Sequence, residues 1–186
     1  MKARILLIAA MLATLSSRTE AKSWIVDYQH SHLGFSGIQE RSVFQGSFRN
    51  FKVDIDFDPD HPESGKIAAT IETGNVTTND RQRDSMLPQT EWFDAQKFPE
   101  AKFTSTKIQK TDAHSYEAKG TLTLKGITKN VTLPFTLTQD GDHWRAQGRA
   151  MLVRSDFHIG EGEWASDQTV RLVVTVIVDI AARPQN

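Results

Sequence analysis

The chain has 186 residues, with 22 Lys and Arg against 23 Asp and Glu, a formal charge of −1, and no cysteine. Near-neutrality provides no basic field for nucleic acid, and the lack of cysteine rules out disulfides and thiolate metal sites. Residues 1–21 read as a cleaved secretory signal: Lys2 and Arg4 start it, residues 5–15 are apolar, and Thr19, Glu20 and Ala21 form a small-residue exit. The apolar run is too short for a confident membrane span. Without Lys2, Arg4, Arg18 and Glu20 the remaining 165 residues carry 19 basic and 22 acidic side chains. That length makes one domain with a real core, and the signal predicts a periplasmic protein. No cysteine follows the apolar run, so a lipid anchor there is excluded.

Period-two alternation dominates residues 22–186 and predicts antiparallel strands. Phe51, Val53, Ile55 and Phe57 share one face and Lys52, Asp54 and Asp56 the other. Residues 58–65, rich in Pro, Asp and Gly, form a turn before Ile67, Ala69 and Ile71. Tyr116, Ala118, Gly120, Leu122 and Leu124 alternate with polar residues up to a tight turn at Lys125 and Gly126. Val131, Leu133, Phe135 and Leu137 alternate next, with Pro134 marking an irregular or edge position. A last strand carries Val170, Leu172, Val174, Val176, Val178 and Ile180 on one side, with Val173 and Ile177 on the other. This pattern predicts an all-β fold, a sandwich or a closed barrel, and closure removes exposed edges.

Residues 77–99 break the rhythm. Asn79 or Asp80 can cap a short helix, Pro88 stops it, and Thr90 can cap a second turn. The insertion, near residues 79–97, is expected to cross one end of the barrel as a lid or plug.

An eight-stranded barrel is either filled by its own side chains or holds one slender ligand. The inward-facing candidates Leu33, Phe35, Phe48, Phe51, Val53, Ile55, Phe103, Leu122, Leu133, Phe135, Val174 and Val176 are apolar, so any ligand is apolar too. The same periodicity describes a packed core. A buried methylene is worth about 0.8 kcal/mol, so a five-carbon isoprene unit gains roughly 3–4 kcal/mol before ordering costs. At the mouth, Arg81 and Arg83 can fork onto a polar head group beside Trp92. Alternatively, Arg83 and Asp84 pin the insertion to the rim.

Other chemistry finds little support. His30 and His32 would share a strand face but lack a third ligand, and His158 lies near Asp156, Glu161 and Glu163. His61, His114 and His143 sit in polar turns. Ser155, Asp156 and His158 are hydrolase residue types without triad geometry, and Asp54 and Asp56 read as outward-facing solubilising charges. No metal site or catalytic motif is expected.

Several stretches, in this order and spacing, resemble the YceI-like family: Trp24, Asp27, His30, Ser31 and Phe35; Gly46, Phe48 and Phe51; Arg83, Asp84, Leu87, Phe93 and Asp94; Phe98, Pro99 and residues 103–106; Gly120, Leu122, Thr123, Gly126, Thr128, Lys129, Val131 and Leu133; and residues 154–157. The resemblance runs from about Trp24 to Ile180. It implies an extended eight-stranded antiparallel lipocalin-like β-barrel over residues 22–186, enclosing a tunnel for an isoprenoid chain, with binding rather than catalysis. Phe35, Phe48, Phe103, Leu122, Phe135 and Val176 are expected to line the tunnel, with Arg81, Arg83 and Trp92 at its mouth. Residues 160–164 resemble those of members associated with b-type cytochrome membrane domains, which makes a quinone a natural cargo. The partners implied are an isoprenoid lipid, a membrane or membrane cytochrome in transient contact, and a second copy of the chain; no resident cofactor is expected. The chain departs from the family pattern at Met86, at Ile38 and Gln39, and at His158, where the family usually has Gly. The rival readings are an empty barrel that binds a membrane partner by its surface, and a hydrolase acting on an amphiphile.

Overall fold

The computed structural model describes residues 22–185; the expected signal peptide lies outside them. The fold is all-β, with antiparallel pairing throughout. The strands are β1 (Trp24–Gln39), β2 (Ser42–Phe48), β3 (Phe51–Asp56), β4 (Lys66–Glu72), β5 (Val76–Thr77), β6 (Glu100–Asp112), β7 (Ser115–Leu124), β8 (Ile127–Asp140), β9 (His143–Val153) and β10 (Val173–Pro184). They form one curled sheet ordered β3-β4-β6-β7-β8-β9-β10-β1-β2-β5.

The strand count is ten rather than the eight expected. The chain bends at Arg49 and Asn50, which splits one passage into β2 and β3. The bend is held by the Arg49 N–H donating to the Asn75 carbonyl at 2.9 Å and by the Asn50 amide donating to the Glu72 carboxylate at 2.9 Å. β5 is a two-residue addition on β2. The last strand starts at Val173, later than the alternation predicts, because Val170 is drawn into an isolated bridge with Gln39.

Closure comes from β3 returning to the start of β1. Ser23 bridges Asp56, and the Phe57 N–H donates to the Lys22 carbonyl at 2.9 Å. Trp24 Nε1 donates to the Phe57 carbonyl at 2.8 Å. Further along, β1 leaves β3 and pairs with β2 from Gly34 onwards. The two strands therefore separate over a short stretch and leave a lateral seam. β1 also bulges there, its register against β10 shifting between Asp27 and His32.

A second divergence lies between β8 and β9, whose pairing is confined to residues 135–140 of β8. Pro134 is the last residue before that pairing. Its missing N–H faces no ladder on the β9 side, which is the irregular position its chemistry requires. β7 and β8 join through Lys125 (φ 49°) and Gly126 (φ 76°), the two positive φ values of a tight hairpin turn.

Two apolar clusters occupy the interior. One gathers Phe35, Val76, Leu87, Trp92, Phe93, Phe157, Ile159 and Val170; the other gathers Phe57, Ile108, Tyr116, Ala118, Phe135 and Leu137. The insertion belongs to the first. Its helix α1 (Arg81–Met86) is capped by Asp80, whose carboxylate accepts the Gln82 and Arg83 N–H groups at 3.0 Å.

Candidate functional site

The six expected tunnel residues fall into two groups. Phe35 and Phe135 are buried, one in each end cluster. Phe48, Phe103, Leu122 and Val176 share the inner faces of their strands but are only half-buried. Phe103 and Leu122 are cross-strand partners on β6 and β7; Phe103 packs on the second cluster and Leu122 on the first. Phe35 pairs with Val176 across β1 and β10. These four side chains face inward without being sealed, between the two packed clusters.

The rings that shape this space need glycines opposite them. A Cβ on Gly120 would stand 2.8 Å from the Phe103 ring, and one on Gly46 would collide with the Phe35 ring. Each glycine lets an aromatic ring lie flat across the neighbouring strand.

The seam opens into a cleft of about 850 Å³ bordered by Leu33, Phe48 and Phe51 and by the polar Tyr28, Arg49 and Lys102. Tyr28 spans the gap. Its hydroxyl accepts the Val53 N–H at 3.1 Å, and its ring meets the Phe51 ring edge-on at 5.6 Å. The bulge that presents Tyr28 is organised by the Asp27 carboxylate, which binds His30 Nδ1 at 2.7 Å and the Gln29 N–H at 3.0 Å. The hydrogen bond to His30 holds the Asp27 carboxyl below its ordinary value.

Arg81, Arg83 and Trp92 do not border this cleft. Arg81 is exposed. Arg83 is committed to the rim: it donates to Gln39 at 3.0 Å and to Thr78 at 3.2 Å, and its guanidinium lies 4.9 Å from the centre of the Phe44 ring. Asp84 beside it accepts from the Thr77 hydroxyl and from the Thr78 N–H and hydroxyl at 2.6–2.7 Å. Burial raises the Asp84 carboxyl, but these hydrogen bonds outweigh it and leave its pKa lowered. The pair therefore anchors the insertion. Trp92 is buried, its Nε1–H without a partner among the described residues, and it borders a smaller pocket of about 430 Å³ beside Trp164.

Two cations shape this end of the barrel, and the alternation pattern gave no sign of either role. Lys125 is buried, and its ammonium donates to the Thr90 and His158 carbonyls and to the Glu161 carboxylate at 2.7–2.9 Å. Arg154 is 4% exposed and donates to the carbonyls of Ile159, Gly160, Trp164, Ser166, Val170 and Arg171 at 2.6–3.2 Å. Tyr28 was missed for a different reason: its role depends on a bulge that breaks the alternation.

The polar clusters show no reactive arrangement. Ser155, Asp156 and His158 are exposed on a short 3₁₀ turn, and no side-chain hydrogen bond joins them among the described residues. His158 Nδ1 instead stands 3.5 Å from Glu161. His32 lies opposite Asp179 across β10, away from the Asp27–His30 pair. Among the described residues no group of three or more His, Asp or Glu is placed to hold a metal ion. The inner faces of the strands instead present apolar side chains.

Comparisons with known proteins agree with this architecture. The chain is 33% identical over 173 residues to a UPF0312 protein of Pseudomonas putida (strain W619), covering 90% of this chain and 86% of that protein. It is 32% identical over 176 residues to Protein YceI of Salmonella arizonae, with 90% and 87% covered. The crystal structure of Burkholderia cenocepacia BcnA superposes with a TM-score of 0.82 at 29% identity, covering 84% of this chain and 99% of that one. A polyisoprenoid binding domain from Saccharophagus degradans shares the fold, with a TM-score of 0.66 at 11% identity, covering 89% and 99%. The model of the YceI-like domain matches residues 24–182, the stretch that builds the barrel, and the chain belongs to the YceI-like family.

Proposed function

We propose that the protein is a periplasmic binding or carrier protein that holds an isoprenoid lipid, a polyprenyl lipid or a quinone, in the hollow of its barrel without altering it chemically. The observation that carries this reading is the half-buried, inward-facing set Phe48, Phe103, Leu122 and Val176 between two sealed clusters. The cleft at the seam has a volume within the range of about 300–1,000 Å³ usual for ligand sites, and it joins apolar side chains to a polar lip. A tail would enter by the seam and its head group would stay at the lip, near Tyr28, Arg49 and Lys102. Affinity would grow with buried chain length at about 0.8 kcal/mol per methylene, and the lip would select among head groups. The fold shared with the Saccharophagus degradans domain supports the same ligand class.

Mass spectrometry of the protein purified from its host's periplasm, intact and after organic extraction, tests the reading. The expected result is a stoichiometric isoprenoid. An empty barrel from a detergent-free preparation would overturn it.

A further inference from the structure

The pocket of about 430 Å³ lies between the insertion and the short turn Gly162–Trp164, and it shares no lining residue with the seam cleft. Its two walls are fixed to each other. The Glu91 carbonyl accepts the Gly160 and Glu161 N–H groups at 2.7 and 2.9 Å, and the Lys125 ammonium ties the Thr90 carbonyl to the Glu161 carboxylate. A largely preformed concavity of this size is what a small-ligand site needs.

The chemistry of the lining is one-sided. Trp92 and Trp164 meet at 5.7 Å between ring centres with their planes 51° apart, and Met86 joins them as a third apolar wall. Glu91 and Glu163 supply two carboxylates, and no basic side chain lines the pocket. Neither acid has an ion pair or a side-chain hydrogen bond among the described residues. Cations of the adjoining turns are committed elsewhere, Lys125 to Glu161 at 2.9 Å and Arg171 to Asp167 at 2.7 Å. Gln89 donates its amide N–H to the Ser85 carbonyl at 3.1 Å, which leaves its amide oxygen as a further acceptor. Trp92 already receives one cation, the buried Arg154, which is not part of the lining. Trp164, half-exposed, receives none among the described residues.

We propose that this pocket is a binding site for a quaternary ammonium group. The methyl groups of such a cation pack against indole and thioether surface, and its charge is drawn to the indole faces and to two carboxylates that have no other partner. An anion would be repelled by both acids, and a neutral ligand would leave them without a counter-charge. Trp92 is 8% exposed and its Nε1–H has no acceptor among the described residues; a cation that also carries a hydroxyl oxygen, as choline does, brings one. The site stands apart from the isoprenoid reading, because its lining and its chemistry are both different from those of the seam cleft.

Titration of the purified protein with choline, followed by calorimetry and tryptophan fluorescence, tests the proposal against the uncharged analogue in which carbon replaces the nitrogen. Choline binds saturably, and the analogue binds roughly tenfold more weakly or worse. Glu163→Gln weakens choline by roughly three- to fivefold, and Trp164→Leu by roughly tenfold. Glu163 is exposed, so its variant folds whatever Trp164→Leu does, and thermal melts verify this. Asp54→Asn, on β3, leaves binding unchanged. Dodecyltrimethylammonium, kept below its micelle concentration, separates the two sources of the group: much tighter binding than choline assigns the site to an amphiphile's head, and equal binding to a free solute. Isoprenoid content of the same variants stays at the wild-type level. Equal affinity for choline and its uncharged analogue overturns the proposal, as does the absence of saturable choline binding or an unchanged affinity in both variants.

Discussion

The Arg154 guanidinium stands 5.5 Å from the centre of the Trp92 ring, coupling the end of β9 to the insertion that plugs the barrel. Trp92 is gripped on another side by Trp164, at 5.7 Å between ring centres, and Trp164 in turn offers its carbonyl to Arg154. Among the described residues no carboxylate binds this arginine. Six carbonyl dipoles solvate its charge instead, and burial lowers its pKa.

Replacing Arg154 should therefore unmake the end cluster. Arg154→Lys keeps the charge, but an ammonium has three donors for six carbonyls, so at least half of them lose their partner. A loss of about 2–4 kcal/mol is expected, read as a lower urea midpoint. Arg154→Met should cost at least as much.

His158 occupies the left-handed region at φ 55°, where the Arg-Ser-Asp-Phe turn closes. A side chain there is strained by about 1–2 kcal/mol, part of which a glycine's greater freedom in the unfolded chain offsets. His158→Gly should raise stability by about 0.5–1 kcal/mol. Glu161 keeps Lys125 as its partner in the variant. A drop in thermal midpoint would show that the His158–Glu161 contact outweighs the strain.

The Phe103 ring needs Gly120 bare. A Cβ at Gly120 would meet the Thr104 backbone carbonyl as well as the Phe103 ring, so Gly120→Ala should shift β6 and the ring together, at a cost of about 1–3 kcal/mol, with isoprenoid content falling. Phe103→Asp tests the lining directly: co-purifying lipid should vanish while export persists. Unchanged lipid in both variants would place the ligand elsewhere.

Tyr28→Phe removes the acceptor of the Val53 N–H and keeps the ring on Phe51. The seam should loosen at a cost of about 0.5–1.5 kcal/mol. Exchange of a fluorescent isoprenoid analogue should accelerate, its equilibrium affinity changing less than its rate of release.

Acid should weaken the fold through Asp84 and Asp179. Hydrogen bonds from Thr77 and Thr78 overcome burial at Asp84, and the Arg145 fork, at 2.5 and 2.7 Å, holds Asp179 low. Both carboxyls lie below their ordinary 3.8, so the unfolded chain binds more protons than the native one as pH falls. Their contribution is complete above that value and is lost as pH drops through the folded values. The urea midpoint should therefore begin to fall as pH drops to about 4 and keep falling below it, and Asp84→Asn should flatten that dependence.

Alternation along β3, β4, β7, β8 and β10 needs nothing beyond the sequence, because a strand's side chains point to opposite faces whatever its neighbours do. The inward sides of Phe51, Phe103, Leu122, Phe135 and Val176 were legible for that reason, as were the Lys125–Gly126 turn and the break at Pro134. Spacing also showed that the insertion is helical and capped. Tertiary structure decided what distant segments do to one another. Whether an inward phenylalanine is buried, like Phe35, or half-buried, like Phe103, depends on the volume left between strands far apart in the chain. The commitment of Arg83 to the rim, the six carbonyls around Arg154 and the Tyr28 contact across the seam all join residues whose spacing in sequence carries no period.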